Sequence, residues 1–298
     1  MADNEMMAQE VIISDPADGA EEALQRYLEQ AKPFIEEHGN FERLVANYQF
    51  VRDIVPRLAE ADFVQENGPE RQEFKQRLLK TLDEHTRPSV VIESSSSGLP
   101  SSAFIQQCEN DPSRVLIGHP FNPPHLIPLV EVVPHPGTSD ESVAAAMKFY
   151  RSVGKRPILL RHEVPGFVSN RLQAAINNEA YSLISRGVVS ASDLDLAVTQ
   201  GPGLRWALTG PIATNALGGG GGPDGFSRRM ERLGPSIQAW EEDILKNRFD
   251  WSRESLSALE DGVKKSLGDV DWSNLVAERD AVLVQLLAAK SKTAIIGS

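Results

Sequence analysis

One short segment brings an imidazole, an amide and a carboxylate close together in the chain. It reads Gly118-His119-Pro120-Phe121-Asn122-Pro123-Pro124 and leads into Leu129-Val130-Glu131. An apolar run at 115–117 precedes it, so His119 would stand just beyond the carboxyl end of a strand, where open α/β sheets present their chemistry. Histidine exchanges protons near neutral pH, and a carboxylate such as Glu131 can orient the ring and raise its basicity. The pattern predicts an acid–base pair; a satisfied buried pair is the alternative.

Two more polar stretches could reach the same edge of a sheet. The serine run Ser94–Ser97 follows an apolar run at 89–92, so its hydroxyls would emerge beside the imidazole if the two strands are neighbours. A polar turn is the alternative, and we weigh the two evenly. Asn170 comes shortly after Pro165-Gly166, near the start of a predicted helix, where its amide could point into a cleft between domains.

The elements that must position these side chains are six short strands alternating with helices. The helices are predicted from Leu24 to a C-cap near Gly39, from Pro69 through Leu82, and from Ser101 to Cys108. This alternation predicts parallel βαβ units in an α/β layer. The predicted strands are Val11–Ile13, Asp62–Gln65, Ser89–Ile92, Val115–Ile117, Leu129–Val133 and Pro157–Leu160.

Beyond His162 the patterns become helical, so we predict an α/β domain at 1–162 and an all-α domain at 163–298. Gly220, Gly222 and Gly225 formally satisfy the dinucleotide pattern G-x-G-x-x-G. No β-rich run precedes these glycines, so we interpret them as a connection between helices. The helices predicted in the second domain are Phe167–Arg186, Ser192–Gln200, Phe226–Asn247 and Asn274–Lys290.

Composition narrows the class of protein. The 298 residues are 41% hydrophobic and 24% charged, as in globular domains, and the net charge of -12 argues against nucleic-acid binding. No apolar stretch is long enough to span a membrane, and residues 1–10 do not resemble a secretory signal. The single cysteine, Cys108, is typical of a reducing compartment, so we expect a cytoplasmic protein. No histidine or cysteine spacing predicts a metal site.

Taken together, these segments resemble the 3-hydroxyacyl-CoA dehydrogenase superfamily. The likeness is nearer to its branch of lambda-crystallin, L-gulonate 3-dehydrogenase and carnitine dehydrogenase, and it runs from about Val11 to at least Gly222. The segments that carry it are Ser94–Ser97, Gly118–Pro124, Ile127–Glu131, Val132–Pro136, Pro165–Gln173 and Ser192–Asp195.

The resemblance implies a Rossmann-like domain followed by a helical domain that dimerises, with NAD as cofactor. It implies that His119 takes the proton of a substrate hydroxyl while hydride leaves for the nicotinamide, and that Glu131 orients the imidazole. Ser97 and Asn170 would bind the substrate oxygen, and Asn122 would hold the site and the nicotinamide end.

The same resemblance suggests where the cofactor and substrate bind. Asp15 would bind the ribose, a role that its place after a strand supports only weakly, because aspartates are common in turns. Glu66 and Arg71 match cofactor-contacting positions. Arg205, in Gly203-Leu204-Arg205-Trp206, is our own suggestion for a clamp on a substrate carboxylate, since the arginine fork matches carboxylates.

The family's first strand, glycine loop and helix would precede the strand at 11–13. Only residues 1–10 stand there, and they contain no glycine. A βα unit with its loop needs about 25 residues, so we expect the first unit to be absent and NAD binding to be weak or lost.

Three functional hypotheses follow. The chain is a dehydrogenase acting on a 3-hydroxy acid or its thioester, or it is a lyase, hydratase or isomerase that uses His119 and Glu131 without NAD, or it is a non-catalytic, crystallin-like protein. A dehydrogenase changes the absorbance of NADH, a redox-neutral enzyme turns over without it, and a structural protein does neither.

Overall fold

The computed structural model describes residues 10–36, 41, 45 and 47–293. The helix end predicted near Gly39 lies outside the described residues. The chain divides into two compact units, Met1–Arg171 and Leu172–Ser298. The domain boundary near His162 stays a prediction.

The strands of the first unit form two sheets. In the first, β1 (Val11–Ser14) pairs in parallel with β2 (Tyr48–Val51). The second has the order β3-β4-β5-β6-β7, in which β3, β4 and β5 are parallel, β6 is antiparallel to β5, and β7 is parallel to β6. These strands are β3 (Phe63–Glu66), β4 (Val91–Ser94), β5 (Val115–Pro120), β6 (Leu129–Val133) and β7 (Arg156–Leu159).

All six predicted strands are present, and the Rossmann-like α/β fold is confirmed, as a mixed sheet rather than a wholly parallel one. The sequence analysis missed β2. Among the described residues, β1 pairs only with β2 and β3 pairs only with β4, so each of these two strands has one edge without a partner strand.

The helices of the first unit are α1 (Ala20–Glu36), α2 (Gln72–His85) and α3 (Asp140–Ser152). Helix α3 was not predicted, although Ser139 caps it by accepting a hydrogen bond from the Ser142 amide at 3.1 Å. The helix predicted from Ser101 to Cys108 is wrong: only one 3-10 turn, Ser101–Ala103, forms there. Pro100 and the following serines favour a turn, and the segment is too short to nucleate a helix.

Alternating side chains place an apolar cluster on each face of the five-stranded sheet. One face buries Ile92, Val115 and Ile117 together with Phe104 and Phe167. The opposite face packs against α3 and is built from Val91, Leu116, Val130, Val132, Ala146 and Tyr150. Each side chain of β4 and β5 is thereby assigned to one of two environments.

The second unit is helical, as predicted. Its helices are α4 (Ser169–Ser185), which begins in the first unit, then α5 (Ala191–Gln200), α6 (Pro202–Gly218), α7 (Gly225–Lys246), α8 (Arg253–Leu267) and α9 (Trp272–Ser291). Helices α6 and α8 were not predicted. The glycine run joins α6 to α7, with Gly220, Gly221 and Gly222 at positive φ, so its interpretation as a helix connection is confirmed. None of the described helices is both long and apolar enough to cross a membrane.

A buried ion pair ties α2 to the carboxyl end of β3. The Lys75 ammonium lies 2.8 Å from a Glu66 carboxylate oxygen, and both side chains are 1% exposed. Lys75 also donates to the Gly68 carbonyl at 3.3 Å and to the Ser94 hydroxyl at 3.4 Å. Two buried charges are stable here only because each neutralises and hydrogen-bonds the other.

We expect Lys75→Met to lower the free energy of unfolding by about 3–5 kcal/mol, because the Glu66 carboxylate would be left buried without its partner. The matched control is Lys80→Met on the same helix, whose ion pair with Glu84 is 42% and 44% exposed. Such a pair is worth about 0.3–0.5 kcal/mol. Urea denaturation of both variants checks this, and equal losses would contradict it.

Candidate active site

The antiparallel pairing of β5 and β6 sets His119 directly opposite Glu131. Their side chains meet on one face of the sheet, with His119 Nδ1 at 2.9 Å from Glu131 Oε2. Both residues are buried, His119 at 6% and Glu131 at 0% exposure. The chain turns back between the two strands, as the sequence analysis expected, and the predicted pair forms.

The other oxygen of Glu131 is held by the segment that begins α4. Glu131 Oε1 accepts hydrogen bonds from the Val168 and Ser169 amides at 3.0 Å each, and from the Ser169 hydroxyl at 3.2 Å. Burial by itself would raise the pKa of Glu131, but the hydrogen bonds from His119 and these two amides outweigh it and hold the pKa below its usual value. Glu131 is therefore ionised at neutral pH.

An ionised Glu131 determines which imidazole nitrogen carries the proton. A carboxylate accepts only, so Nδ1 donates and the neutral ring keeps its lone pair on Nε2. No described group bonds to Nε2, while the rings of Phe167 and Phe121 lie 5.6 Å and 6.0 Å from the imidazole centroid. The geometry thus fixes the orientation of the imidazole and leaves Nε2 without a hydrogen-bond partner among the described residues.

The serine turn presents Ser97 at the same edge of the sheet. Glu70 Oε1 gathers the turn by accepting from the Ser97, Gly98 and Leu99 amides at 3.1–3.2 Å and from the Ser96 hydroxyl at 2.7 Å. Burial opposes the charge, but these hydrogen bonds and Lys75 lower the pKa of Glu70. The exposed Ser97 hydroxyl has no partner among the described residues.

Asn170 joins this turn to the segment that holds Glu131. Its Nδ2 donates to the Ser97 carbonyl at 2.6 Å, one residue after the Ser169 contacts to Glu131. The predicted residues His119, Glu131, Ser97 and Asn170 therefore belong to one connected set within the first unit. Its members come from β4, β5, β6 and the start of α4.

Asn122 lies in the loop that follows β5, and its side chain is exposed. A half-buried cation shapes this loop: Lys155 Nζ donates to the Pro124 carbonyl and, at 3.1 Å, to that of Ile127. Burial lowers the pKa of Lys155. Lys155 donates to two carbonyl oxygens of the loop rather than to a carboxylate, and these hydrogen bonds hold the loop in place.

The predicted cofactor and substrate residues stand in different surroundings. Asp15 follows β1 and is exposed, with one carboxylate oxygen bound to the Ala17 amide at 2.8 Å. The Glu66 carboxylate is occupied by Lys75, Ser94 and the Gly68 amide. Arg71 precedes α2 with its guanidinium 5.9 Å from the Phe74 ring centroid. Arg205 is exposed on α6, in the second unit.

Sequence reasoning missed the residues that hold the predicted ones. Glu70 and Lys155 resembled ordinary surface charges, because nothing in their spacing shows that they will bind backbone groups. Ser169 was quoted only as part of a matching segment. Among the described residues, no cluster of three histidine, cysteine or acidic side chains could hold a metal ion.

Two family models match consecutive parts of the chain. Residues 7–164 match the NAD binding domain of 3-hydroxyacyl-CoA dehydrogenase, and residues 166–264 match its C-terminal domain. A 3-hydroxyacyl-CoA dehydrogenase of Gibberella moniliformis is 74% identical over 95% of this chain and 88% of its own length. An L-carnitine dehydrogenase of Streptomyces coelicolor is 41% identical over the same shares of both chains.

Among solved structures, one similar chain is 5-formyl-3-hydroxy-2-methylpyridine 4-carboxylic acid 5-dehydrogenase, described as an NAD+ dependent dismutase. It is 27% identical, with a TM-score of 0.75 over 95% of this chain and 91% of its own. Both family domains are matched in order, and the relatives span nearly the whole chain. This chain belongs to the 3-hydroxyacyl-CoA dehydrogenase family of NAD-binding oxidoreductases.

Proposed function

We propose that this protein oxidises the hydroxyl group of a 3-hydroxy acid, or of its thioester, with NAD as cofactor and a His119–Glu131 dyad as the proton acceptor. One observation carries the proposal. The ionised Glu131, held by two backbone amides, accepts the hydrogen bond of His119 Nδ1, and Nε2 has no hydrogen-bond partner among the described residues. A structural pair has no need to leave one ring nitrogen without a partner.

In this reaction His119 Nε2 removes the proton from the substrate hydroxyl. The resulting imidazolium is stabilised by Glu131, whose own charge is maintained by the amides of Val168 and Ser169. NAD, when bound, accepts the hydride that leaves the same carbon. Ser97 and Asn170 supply a hydroxyl and an amide for the substrate oxygen as it becomes a carbonyl, and Asn122 supports the site from the loop after β5.

The chain offers some, but not all, of the groups that NAD requires. Asp15 fits the ribose, because its second carboxylate oxygen is exposed at the carboxyl end of β1. Arg71, also exposed, could meet the cofactor beyond β3; Glu66 remains a proposed contact, although Lys75 already holds its carboxylate. Among the described residues no G-x-G-x-x-G loop lies between a strand and a helix. The family match supports NAD, and the comparisons do not support the expected loss of binding.

The substrate class follows from the relatives and from the exposed basic group. The relatives include dehydrogenases of 3-hydroxyacyl-CoA and of L-carnitine, and the second kind supports the expected likeness to the carnitine dehydrogenase branch. Arg205 is proposed as the clamp for a substrate carboxylate, because a guanidinium binds that group with two parallel hydrogen bonds. A free 3-hydroxy acid offers this carboxylate, and a thioester does not.

A homodimer formed through the helical unit is also proposed. Leu196, Ile212, Leu217 and Trp240 are each more than half exposed, and α6 buries none of its residues within the single chain.

A reducing, cytoplasmic setting is supported by Cys108, which packs in the core cluster while burial raises the pKa of its thiol to about 12.

We expect His119→Ala to lower kcat by about 10²–10⁴-fold, the usual contribution of a positioned general base, with a melting temperature close to that of the wild type. The matched control is His85→Ala, an exposed histidine whose Nδ1 bonds to the Thr81 carbonyl on α2. Initial rates of NADH formation with 3-hydroxybutyrate, L-carnitine and 3-hydroxybutyryl-CoA provide the assay. Full activity in the variant would remove His119 from the mechanism, and unfolding would make it a core residue.

Glu131→Gln should also lower kcat by about 10²–10⁴-fold, because it reverses the imidazole tautomer. The backbone amides of Val168 and Ser169 require an oxygen, so the glutamine must turn its amide nitrogen toward His119 Nδ1. Nε2 would then carry the ring proton. Nitrogen-15 NMR of labelled histidine reports the tautomer directly, and an unchanged tautomer would contradict this account.

Isothermal titration with NAD and NADH tests the cofactor. We expect Asp15→Ala to weaken binding about 10–100-fold, the worth of hydrogen bonds to a charged group. Asp18→Ala is the control, since Asp18 lies in the same turn and pairs with Arg52 at the surface. No binding by a folded, cooperatively melting wild type would overturn the redox proposal and favour NAD-independent chemistry or none.

A further inference from the structure

A carboxyl group lies inside the sheet on the face opposite the proposed catalytic base. Glu93 occupies the middle of β4, is 0% exposed, and points into the apolar cluster that packs against α3. Its Oε2 is hydrogen-bonded to the Tyr150 hydroxyl, and its Oε1 has no partner among the described residues. A buried carboxylate without a cation is costly, so its protonation state needs an explanation.

The surrounding hydrogen bonds determine the orientation of Gln65. Asn67 Nδ2 donates to the Gln65 carbonyl at 3.3 Å, so Asn67 Oδ1 faces Ser95 and takes the proton of its hydroxyl at 2.7 Å. The Ser95 oxygen must then accept, and Gln65 Nε2 donates to it at 2.7 Å. The same amide nitrogen donates to the Gly118 carbonyl at 3.1 Å.

This orientation leaves Gln65 Oε1 facing Tyr150, at 2.6 Å from the phenol oxygen. An amide oxygen cannot donate, so the single phenol proton goes to Gln65. The contact between Tyr150 and Glu93 Oε2 then needs a second proton, and only the carboxyl group can supply it. With a neutral Glu93, the carboxyl group donates to Tyr150 and Tyr150 donates to Gln65. With an ionised Glu93, one of these two contacts would have no proton.

We propose that Glu93 is a protonated carboxylic acid at neutral pH and that, through Tyr150 and Gln65, it positions the Gly118 carbonyl and hence the catalytic imidazole of His119. The catalytic role of His119 in this inference rests on the proposed function; the protonation of Glu93 does not. Glu93, Tyr150 and Gln65 touch no reacting atom and are positioning residues.

The close fit around Gly118 supports the same role. A Cβ at Gly118 would collide with both the Glu93 carboxyl and the Tyr150 hydroxyl, so only glycine leaves room for this hydrogen bond against β5. Gly118 and His119 are adjacent, and their side-chain directions are opposite. The hydrogen-bonded side chains of Glu93, Tyr150 and Gln65 therefore contact the backbone of β5 from one face of the sheet, and the imidazole lies on the other face.

Burial raises the pKa of Glu93 to about 8, and a hydrogen bond in which the acid donates to Tyr150 favours the same neutral form. Among the described residues, Tyr150 is the one titratable side chain that contributes to this shift, and burial likewise raises the pKa of Tyr150. An acid whose folded-state pKa is raised binds more protons when folded. Its stabilising effect is complete below the unfolded pKa and is lost as the pH rises through about 8.

The test compares the wild type with Glu93→Gln, in which a neutral amide can donate to Tyr150 as the acid does. We expect the melting temperature of the wild type to fall relative to Glu93→Gln as the pH rises from 5 to 9. We also expect an infrared band of a protonated carboxyl group at pH 7 that is missing in Glu93→Gln. Neither readout depends on turnover, so failure of the proposed function leaves this test intact.

Tyr150→Phe tests the positioning role, because it keeps the ring and breaks the chain. We expect kcat to fall by up to about 10²-fold, as for a misplaced catalytic group, with KM changing less, and the imidazole NMR signals of His119 to shift. Glu93→Ala should lose activity that Glu93→Gln retains. The matched control, Tyr181→Phe in the second unit, should follow the wild type in both the NMR signals and the pH dependence.

Two results would overturn the inference. A melting-temperature difference between wild type and Glu93→Gln that does not change with pH, or no carboxyl band at pH 7, would show that Glu93 is ionised. Unchanged His119 signals and an unchanged kcat in Tyr150→Phe would show that the chain merely fills the core.

Discussion

The register between β5 and β6 is the constraint on which the site depends. Antiparallel pairing places the His119 and Glu131 side chains on the same face and directly opposite, and a slip of one residue would send one of them to the other face. The other strand pairs of this sheet are parallel, so β6 and β7 run in the direction opposite to β3, β4 and β5. That reversal brings a residue twelve positions later back to the imidazole, which parallel pairing across so short a connection could not do.

Three buried or half-buried carboxyl groups near the site owe their states to their surroundings. Glu131 and Glu70 each collect backbone amides, which favour the charged form and lower both pKa values despite burial. Glu93 has one hydrogen-bond partner and no cation, so desolvation prevails and its pKa rises to about 8. The two ionised groups order the segments that carry Ser97 and orient His119, while the neutral one supports the strand from below.

Sequence patterns identified the proposed reacting residues, which the structure brings together, better than the residues that hold them in place. His119 and Glu131 could be predicted because both follow or occupy short apolar strands, and the strands themselves were recognisable from β-branched runs. Strand β2 was missed because Tyr48–Val51 carries no strong alternation. Helix α3 did leave signals in the sequence, a Ser139 cap and two acidic residues in its first turn, which the sequence analysis did not use. Glu70 and Lys155 bind backbone carbonyls and amides, which no side-chain spacing reveals. Glu93 did leave a signal, an acid at the end of the apolar run Val90-Val91-Ile92, whose meaning depended on Tyr150 arriving from a helix 57 residues later.

The residues proposed for proton transfer are held in place independently of the sheet that carries Asp15. His119, Glu131, Ser97 and Asn170 are positioned by β4, β5, β6 and the segment that opens α4, and none of their described contacts comes from β1 or β2. Among the described residues, strands β1 and β2 pair only with each other, so no ladder hydrogen bonds join the strand before Asp15, the proposed ribose ligand, to the five-stranded sheet. A change at β1 should therefore alter how tightly the cofactor binds without altering the tautomer of His119. Because no described contact joins these two groups of residues, we expect the proposed cofactor affinity and the proposed base chemistry to respond separately to substitutions.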